Sequence, residues 1–599
     1  VSGLMAVSLV MAACGPAAVT TTPTTPTTPT TPTTPTAPTT PIETPTQKEA
    51  VSDDTPKYGG TLTLQVTTSP TRLDPADGDP GLWALVGDEF AESNWMQVTR
   101  DEFDYDDWNG LPLGTVPSGK PYTVGSVAES WEIDNAQTIT LHIRKGIRFH
   151  NIGPGGGREM DAYDVEYVLH RYFGLGSGFT RPRPLARVSL WGPPVSIKAT
   201  DKWTIVIKLA TPSLNSTRFF FIEGHDLHIY PREAIEKWGD LNRWDRNIGT
   251  GPFIIKDYVP DSAITAVRNP DYWKRDVNYP QNQLPYVDKV QVLIIPDVST
   301  RLAALRAGKL DTLENLTWDD LRTLQKTNPE IITYKRRMGT IPSVAMLLDR
   351  PPFNDIRVRT AMQMALDLKT LAINYYGGIP NGLPVSQGRT AGYFTPYGEW
   401  PQKVKDEYAY NPEGARKLLS EAGYPKGFKT TVTTLRTYDV DLLAILKDYW
   451  AQIGVEVEIK LMETAAYNSL VFATGLTEGM SPARFGAGAG GGSLWLVQIS
   501  GTRQDVFRQH LKSDPVFEAM VVAANNTPDQ KEEMRITKEA DLYTVSQHWQ
   551  ITTQETPNFT GVQPWVKRYQ PVRSGGTGMQ RHMASWIWID PDIKKAVGR

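Results

Sequence analysis

Cysteine is almost absent from the sequence, because Cys14 is the only one in 599 residues. A single thiol cannot form an internal disulfide, and it cannot build a zinc site from cysteines. Excess charge is also absent: the formal net charge is −4, which argues against a surface made to bind nucleic acid. We therefore expect a fold held together by packing and hydrogen bonds, with no nucleic-acid partner.

Long apolar runs are absent after the first fifteen residues, so no later segment has the length of a membrane-spanning helix. The sequence also lacks the G-x-S-x-G elbow, the H-E-x-x-H helix and the G-x-x-x-x-G-K-[ST] loop. Only His225 and His228 lie close together, and with Asp226 they offer too few ligands for a metal. We expect no enzyme, no metal and no cofactor, and a secreted hydrolase with distant paired carboxylates stays an alternative.

What is present begins with an apolar run from Leu4 to Ala13, which has signal-peptide length. The stretch MAACG at residues 11–15 resembles the lipobox of bacterial lipoproteins, with Met11 where leucine is usual. This resemblance implies that residues 1–13 are a signal peptide and that Cys14 carries lipid, which anchors the protein to the outer face of the cell membrane. An inert, buried thiol is the alternative.

Residues 20–46 consist almost entirely of threonine and proline. Such a segment has too few apolar side chains to offset the entropy lost on folding, and it favours extended polyproline geometry. At about 3.1 Å per residue it would reach roughly 80 Å when fully extended. We predict that residues 14–56 form a lipidated, disordered tether and that a folded body begins at residue 57.

Apolar residues that alternate with polar ones predict half-buried strands in this body. We expect such strands at residues 62–66, 139–143, 203–209 and 455–461. After the second of them, Lys145 and Gly146 are expected to turn the chain into a partner strand at residues 147–149.

Helical spacing of apolar residues predicts helices near residues 161–172, 354–365, 411–423 and 441–454. The third has Asn411 as its cap, Pro412 at the first helical position and Gly423 at its end. In the fourth, the expected buried stripe is Leu442, Ile445, Leu446 and Tyr449. Because the first half is rich in strands and the second in helices, we expect two lobes of unlike composition.

Six segments carry a resemblance that extends over most of residues 57–465. They are VAESWEIDNAQTITLHIRKGIRFH (127–150), GTGPF (249–253), RNPDYW (268–273), LAALRAGKLD (302–311), PPFNDIRVR (351–359) and YNPEGARKLLSEAGYP (410–425). Taken together and in this order, they make the chain similar to the solute-binding proteins of peptide-type ABC transporters, family 5.

This resemblance implies an α/β protein with the two-lobed periplasmic-binding-protein-like fold of type II, similar to the large cluster C. Such a fold has mixed β-sheets with flanking helices and a two-stranded hinge. We accordingly predict lobe I at residues 57–340, lobe II at 341–549, and a C-terminal return to lobe I at 550–599. The crossings are expected near residues 338–348 and 548–559.

The resemblance further implies a substrate-binding lipoprotein of an ABC importer, which captures a peptide or a similar small solute and delivers it to a membrane permease. The implied partners are the solute, the ABC permease and ATPase subunits, and the membrane through the lipid anchor. We expect an extracytoplasmic monomer. A ligand-binding sensor or chaperone on the same fold is the main alternative.

In the peptide binders of this family, an aspartate after the central strand of lobe II meets the amino terminus of the peptide. The matching residues 479–496 contain neither aspartate nor glutamate. They offer Arg484 as a clamp for a carboxylate or phosphate, and Phe485 and Trp495 as stacking platforms. A surface loop without a ligand is the alternative for these three residues.

On the lobe I side, the resemblance brings the loop at residues 77–90 into the cleft. Trp83 and Glu89 are the candidate ligand contacts in this loop. An ordinary core position is the alternative for Trp83.

Overall fold

The computed structural model describes residues 55–599 except 71, 78–82, 84, 94–120, 122, 184–193, 221–226, 338–339, 379–381, 387–391, 437, 464–465, 468, 471–477, 487–491, 501–512 and 571–582. Cys14, residues 15–54 of the predicted tether and His225 therefore lie outside the described residues. The described residues belong to one unit, Thr55–Arg599. Within these ranges, no helix is both long and apolar enough to cross a lipid bilayer.

The strands are numbered in chain order. They are β1 (Thr61–Val66), β2 (Ala91–Ser93), β3 (Thr123–Gly125), β4 (Ala128–Asp134), β5 (Thr138–Ile143), β6 (Pro194–Asp201), β7 (Thr204–Leu209), β8 (Phe253–Val259), β9 (Ala263–Arg268), β10 (Lys289–Ile294), β11 (Thr312–Leu316), β12 (Ile332–Arg337), β13 (Thr340–Met346), β14 (Phe428–Leu435), β15 (Val455–Met462), β16 (Met480–Gly486), β17 (Gln550–Thr552), β18 (Pro557–Val562), β19 (Val566–Lys567) and β20 (Trp588–Ile589).

The helices are numbered in the same way. They are α1 (Ala162–Phe173), α2 (Leu214–Phe219), α3 (Arg232–Trp238), α4 (Val298–Arg306), α5 (Trp318–Thr327), α6 (Ile356–Met364), α7 (Leu368–Tyr376), α8 (Gln402–Tyr408), α9 (Pro412–Glu421), α10 (Val440–Ala451), α11 (Leu494–Ile499), α12 (Pro515–Asn526), α13 (Gln530–Ser546) and α14 (Pro591–Ala596). With sheets that contain both parallel and antiparallel pairs, this inventory confirms the predicted α/β class.

Two groups of sheets are built from different parts of the chain. The strands up to β12, together with β18, form sheets in the orders β1-β10-β9-β8, β4-β5-β7-β6, β11-β18-β12 and β2-β3. The strands β13 to β17 form one five-stranded sheet in the order β15-β14-β16-β13-β17. We use lobe I for the elements up to Arg337 and after Pro557, and lobe II for those between Thr340 and Thr552.

The chain passes between these lobes twice. β12 pairs with β18 and ends at Arg337, whereas β13 begins at Thr340 and pairs with β16 and β17. On the return, β17 ends at Thr552 and β18 begins at Pro557. The predicted domain boundaries stay predictions. β17, at the predicted start of the return, pairs with β13 in the lobe II sheet.

The predicted hairpin after β5 is wrong. β5 pairs with β4 on one side and with β7 on the other, so neither edge is left for residues 147–149. The observed turn between β4 and β5 has Asn135 and Ala136 at φ values of 49° and 50°, a geometry typical of tight hairpins. Within residues 147–149, Arg148 forms an isolated bridge to Glu159.

The predicted helix signals are confirmed at two helices. Asp161 caps α1 in a capping box with Asp164. Asn411 caps α9 with Pro412 at the first position, and Gly423 follows at a φ of 92°.

The predicted stripe of α10 is displaced by one residue. The deeply buried side chains are Leu442, Leu443, Leu446 and Trp450, because the indole Nε1 of Trp450 donates to the Met362 carbonyl at 3.0 Å. The predicted Ile445 and Tyr449 are only partly buried.

Candidate functional site

The end of β16 lies beside the first crossing between the lobes. β16 runs antiparallel to β13, with Arg484 opposite Pro342 and Phe485 opposite Ile341. The backbone thus places both predicted ligand contacts on a central strand, close to where the chain enters lobe II. Their roles as ligand contacts stay predictions.

A buried chain of hydrogen bonds joins the lobes through Ser493, which follows β16 in the sequence. The Asn215 amide of α2 in lobe I donates to Ser493 Oγ at 2.8 Å and to Asn525 Oδ1 at 2.7 Å. Ser493 Oγ in turn donates to Glu533 Oε1 at 2.7 Å, and the Tyr393 hydroxyl donates to Glu533 Oε2 at 2.9 Å. We call these five residues the Ser493 network.

The Ser493 network excludes solvent at its centre, because Ser493 and Glu533 are fully buried and Asn215 is 3% exposed. No sequence pattern predicts it. Ser493 lies within the glycine-rich stretch at residues 479–496, but Asn215 is 278 residues away, and no sequence pattern links them. The network can hold the two lobes together around whatever lies between them.

Trp495 lies two residues after Ser493, on α11. It is 4% exposed, and its indole Nε1 has no hydrogen-bond partner among the residues that the structure describes. A buried indole N–H normally has a partner. The Trp495 N–H is therefore a buried donor without a partner among the described residues, and the predicted role of Trp495 as a ligand contact stays a prediction.

Trp83 lies in the core of lobe I. It is fully buried, its Nε1 donates to the Leu73 carbonyl at 2.6 Å, and His228 stacks on its ring at 5.8 Å between centroids. Tyr230 meets it edge-on at 6.2 Å. Because its N–H and one ring face are occupied, this geometry does not favour the predicted ligand contact at Trp83.

Glu89 is half-buried and lies beside a cluster of charges in lobe I. Lys274 forms ion pairs with Glu92 at 2.5 Å and with Asp88 at 4.0 Å. Burial alone would lower the pKa of Lys274, but the charges of Glu92, Asp88 and Glu89 oppose it, and the pKa is raised. The Glu89 charge therefore helps to keep a buried lysine protonated, and its role as a ligand contact stays a prediction.

Metal binding finds no support in the part of the chain that the structure describes, where no group of three or more histidine, cysteine, aspartate or glutamate side chains is arranged to hold an ion. His228 is buried against Trp83.

Comparison with known proteins gives a family and several relatives. The family described as bacterial extracellular solute-binding proteins, family 5 Middle, matches residues 123–486. Heme-binding protein A of Haemophilus influenzae is 28% identical over 473 residues, which are 74% of this chain and 81% of that protein. Di/tripeptide-binding protein 1 of Pseudomonas aeruginosa is 26% identical over 532 residues, which are 84% of this chain and 89% of that protein.

Solved structures share the fold. The periplasmic binding protein DppA from Helicobacter pylori, in complex with the peptide STSA, superposes with a TM-score of 0.69 at 21% identity. The match covers 89% of this chain and 99% of that one. At this identity the likeness shows the fold alone, and it confirms the predicted periplasmic-binding-protein-like architecture.

Proposed function

The chain belongs to family 5 of the bacterial extracellular solute-binding proteins, and on that premise we propose that it captures a short peptide between its two lobes. Membership makes it an extracytoplasmic solute-binding component of an ABC transporter, in a family of binding proteins and not of enzymes. The proposal adds the solute class, the manner of capture and the anchoring.

The observation that carries the proposal is the Ser493 network, which joins the two lobes by hydrogen bonds. Two short connections, at residues 337–340 and 552–557, join the lobes, and hinge closure about such connections is a common way to enclose a ligand. The network has to break when the lobes separate. A solute that contacts both lobes would therefore favour the closed state, which a permease can recognise.

Peptide is the favoured solute class for two reasons. Several relatives are named for peptides, including the di/tripeptide-binding protein. In addition, the Trp495 indole N–H, which has no partner among the described residues, would suit a peptide carbonyl, and Arg484 would suit the terminal carboxylate. Heme is the second candidate, because one relative is named for it and its propionates and flat ring suit Arg484 and an aromatic platform.

We further propose how the protein is held and what it meets. Cys14 would carry lipid, and residues 15–56 would serve as a spacer, so that a monomeric body works at the outer face of the cell membrane. The partners would be the permease and ATPase subunits of one ABC importer.

The first experiment identifies the solute. The full chain is incubated with pooled dipeptides and tripeptides, or with hemin, and the bound species are read by native mass spectrometry and confirmed by calorimetry. We expect a dissociation constant near micromolar, which corresponds to a binding free energy of about −8 kcal/mol. Binding of neither class would contradict the proposal. Deletion of the gene should abolish uptake of the same peptide, whereas retained uptake would favour a sensor or chaperone.

Two substitutions test the contacts. Trp495→Phe keeps the ring and removes the donor, and we expect it to weaken peptide binding about tenfold. Trp203→Phe is the control, because Trp203 lies in lobe I, where Lys202 Nζ is 4.7 Å from the centroid of its ring. Arg484→Ala should weaken an anionic ligand by a similar factor. Unchanged affinity would remove the substituted residue from the site, and a bound peptide recovered with altered mass would indicate a hydrolase.

A further inference from the structure

Helix α12 of lobe II exposes an apolar face to solvent. Val516 is 53% exposed and Val522 is 58% exposed, and Pro515, Ala519 and Ala523 are exposed as well. Because an α-helix has about 3.6 residues per turn, these five positions share one arc of roughly 120° on its surface. We call these five residues the α12 face.

The α12 face carries no charge. The single charged residue of α12 is Glu518, which lies outside the arc and accepts a hydrogen bond from Ser500 Oγ. The next helix, α13, differs, because Arg535 on its exposed side pairs with Glu532 at 2.6 Å and with Glu539 at 2.5 Å. Single exposed apolar side chains are common on soluble proteins, whereas a continuous apolar helix face indicates contact with a partner.

The α12 face lies beside a contact between the lobes. Asn525 of α12 belongs to the Ser493 network and accepts a hydrogen bond from the Asn215 amide of lobe I at 2.7 Å. Val522 precedes Asn525 by three residues, and residues at this spacing are neighbours on a helix surface. The α12 face is therefore continuous with a contact that has to break when the lobes separate.

The composition and size of the α12 face limit the kinds of partner. Helices that bind lipid surfaces carry lysine or arginine beside their apolar face, and α12 contains neither. Stable dimers bury about 800 Å² on each partner, whereas three of the five side chains of the α12 face are small alanine or proline side chains. The α12 face therefore suits a transient contact with a neutral, apolar segment of another protein.

We propose that the α12 face docks against a neutral, apolar segment of the membrane permease while the two lobes are closed. This inference rests on the proposed function, because it takes the chain to deliver its solute to a permease. When the lobes separate at the Ser493 network, the surface of lobe I moves away from α12. The permease therefore contacts a complete surface only in the closed state, which favours docking of the loaded protein.

The first test identifies what touches the α12 face in living cells. The full chain carries the photoreactive substitution Val522→p-benzoylphenylalanine, and the crosslinked products are identified by mass spectrometry, with and without the pooled dipeptides and tripeptides. We expect a product with a permease subunit whose yield rises about threefold with peptide, because peptide favours the closed state. Crosslinks to a second copy of the chain, no protein product, or a yield independent of peptide would overturn the proposal.

The decisive variant is Val522→Lys, which adds a charge to the α12 face at an exposed position. We expect uptake of the peptide by cells to fall about tenfold, because a lysine pressed against an apolar segment loses its hydration without gaining a partner. The peptide affinity by calorimetry and the thermal unfolding temperature should stay unchanged. Normal uptake in this variant would overturn the proposal.

The matched control is Val298→Lys, because Val298 begins α4 in lobe I and is 56% exposed, nearly the same as Val522. We expect normal uptake in this control, and equal losses in both variants would overturn the proposal. The outcomes also separate this inference from the proposed function. Failure of the unsubstituted chain to bind peptide contradicts the proposed function, whereas normal binding and normal uptake in Val522→Lys contradict only the docking of the α12 face.

Discussion

The two lobes meet through contacts of opposite chemistry. In the Ser493 network, Asn215 and Ser493 are joined by a hydrogen bond of 2.8 Å. In the second contact, which we call the Trp318 contact, the indole of Trp318 covers Gly377 so closely that a Cβ there would lie 2.2 Å from Trp318 Cε2. The first contact is polar and the second is shape-dependent packing.

This difference bears on which contact can open. Water can replace the hydrogen bonds of the Ser493 network, so each contributes only about 1 kcal/mol net to closure. Separating Trp318 from Gly377 would expose apolar surface without compensation. Trp318 also lines the same cavity as Pro342, close to the first crossing. We therefore expect the lobes to pivot about the Trp318 contact and to separate at the Ser493 network.

The largest effect is expected at the Trp318 contact. Gly377→Ala would place a methyl group against the indole and force alanine into a φ of 68°. Backbone strain of about 1–2 kcal/mol and steric overlap of about 1–3 kcal/mol should together lower the free energy of unfolding by roughly 3 kcal/mol. Urea unfolding would measure this loss.

The neighbouring residue gives a matched control. Gly378 has a φ of 75°, but nothing lies within 4 Å of a Cβ at that position. Gly378→Ala should therefore show only the backbone strain. If the two variants lose equal stability, then the close approach of Trp318 does not hold the lobes together.

A smaller effect is expected at the Ser493 network. Ser493→Ala removes the bond from Asn215 and the bond to Glu533, which should weaken closure by about 1–2 kcal/mol. We expect solute affinity to fall about tenfold and X-ray scattering to report a larger radius of gyration without solute. Ser546→Ala is the control, because its hydroxyl bonds the Tyr543 carbonyl of its own helix. An equal loss of affinity in Ser546→Ala would mean that the hydrogen bonds of Ser493 do not control the closure of the lobes.

The sequence predicted those elements whose signals are local. Asp161 caps α1 and Asn411 caps α9 as expected, because a cap depends only on residues within one turn. The hairpin at Asn135 and Ala136 was missed, because alanine rarely adopts a positive φ. Trp450 was missed as the buried residue of α10, since its partner is the distant Met362 carbonyl.

The contacts between the lobes were out of reach for a different reason. Ser493 and Asn215 meet only after both lobes have folded, and no local pattern marks either residue. The same holds for Trp318, which a helical pattern treats as an ordinary first-turn residue of α5. By contrast, Trp495 is a candidate from its place in a matched segment, and the lack of a partner for its N–H within the described part of the chain agrees with that hypothesis without testing it.

The smallest expected effect is a pH dependence of stability. It should separate the stability of lobe I from the contacts between the two lobes. His150 is buried in lobe I, with its Nε2 2.9 Å from the Gly251 carbonyl. Burial lowers its pKa to about 4, despite this bond to Gly251, which opposes the shift. The unfolded chain, with a histidine pKa near 6.5, therefore takes up a proton first as the pH falls. Stability is complete above about pH 6.5 and is lost progressively down to about pH 4.

Between pH 7 and pH 5.5 this loss should amount to about 1 kcal/mol, measured by urea unfolding. His150→Gln should remove that part of the pH dependence. Neither the Ser493 network nor the Trp318 contact contains a histidine, so the solute affinity of the folded protein should change less than twofold over the same range. If solute affinity instead falls in parallel with stability, and recovers in His150→Gln, then protonation in lobe I also changes the closure of the lobes. The stability of lobe I and the contacts between the lobes would then not be independent.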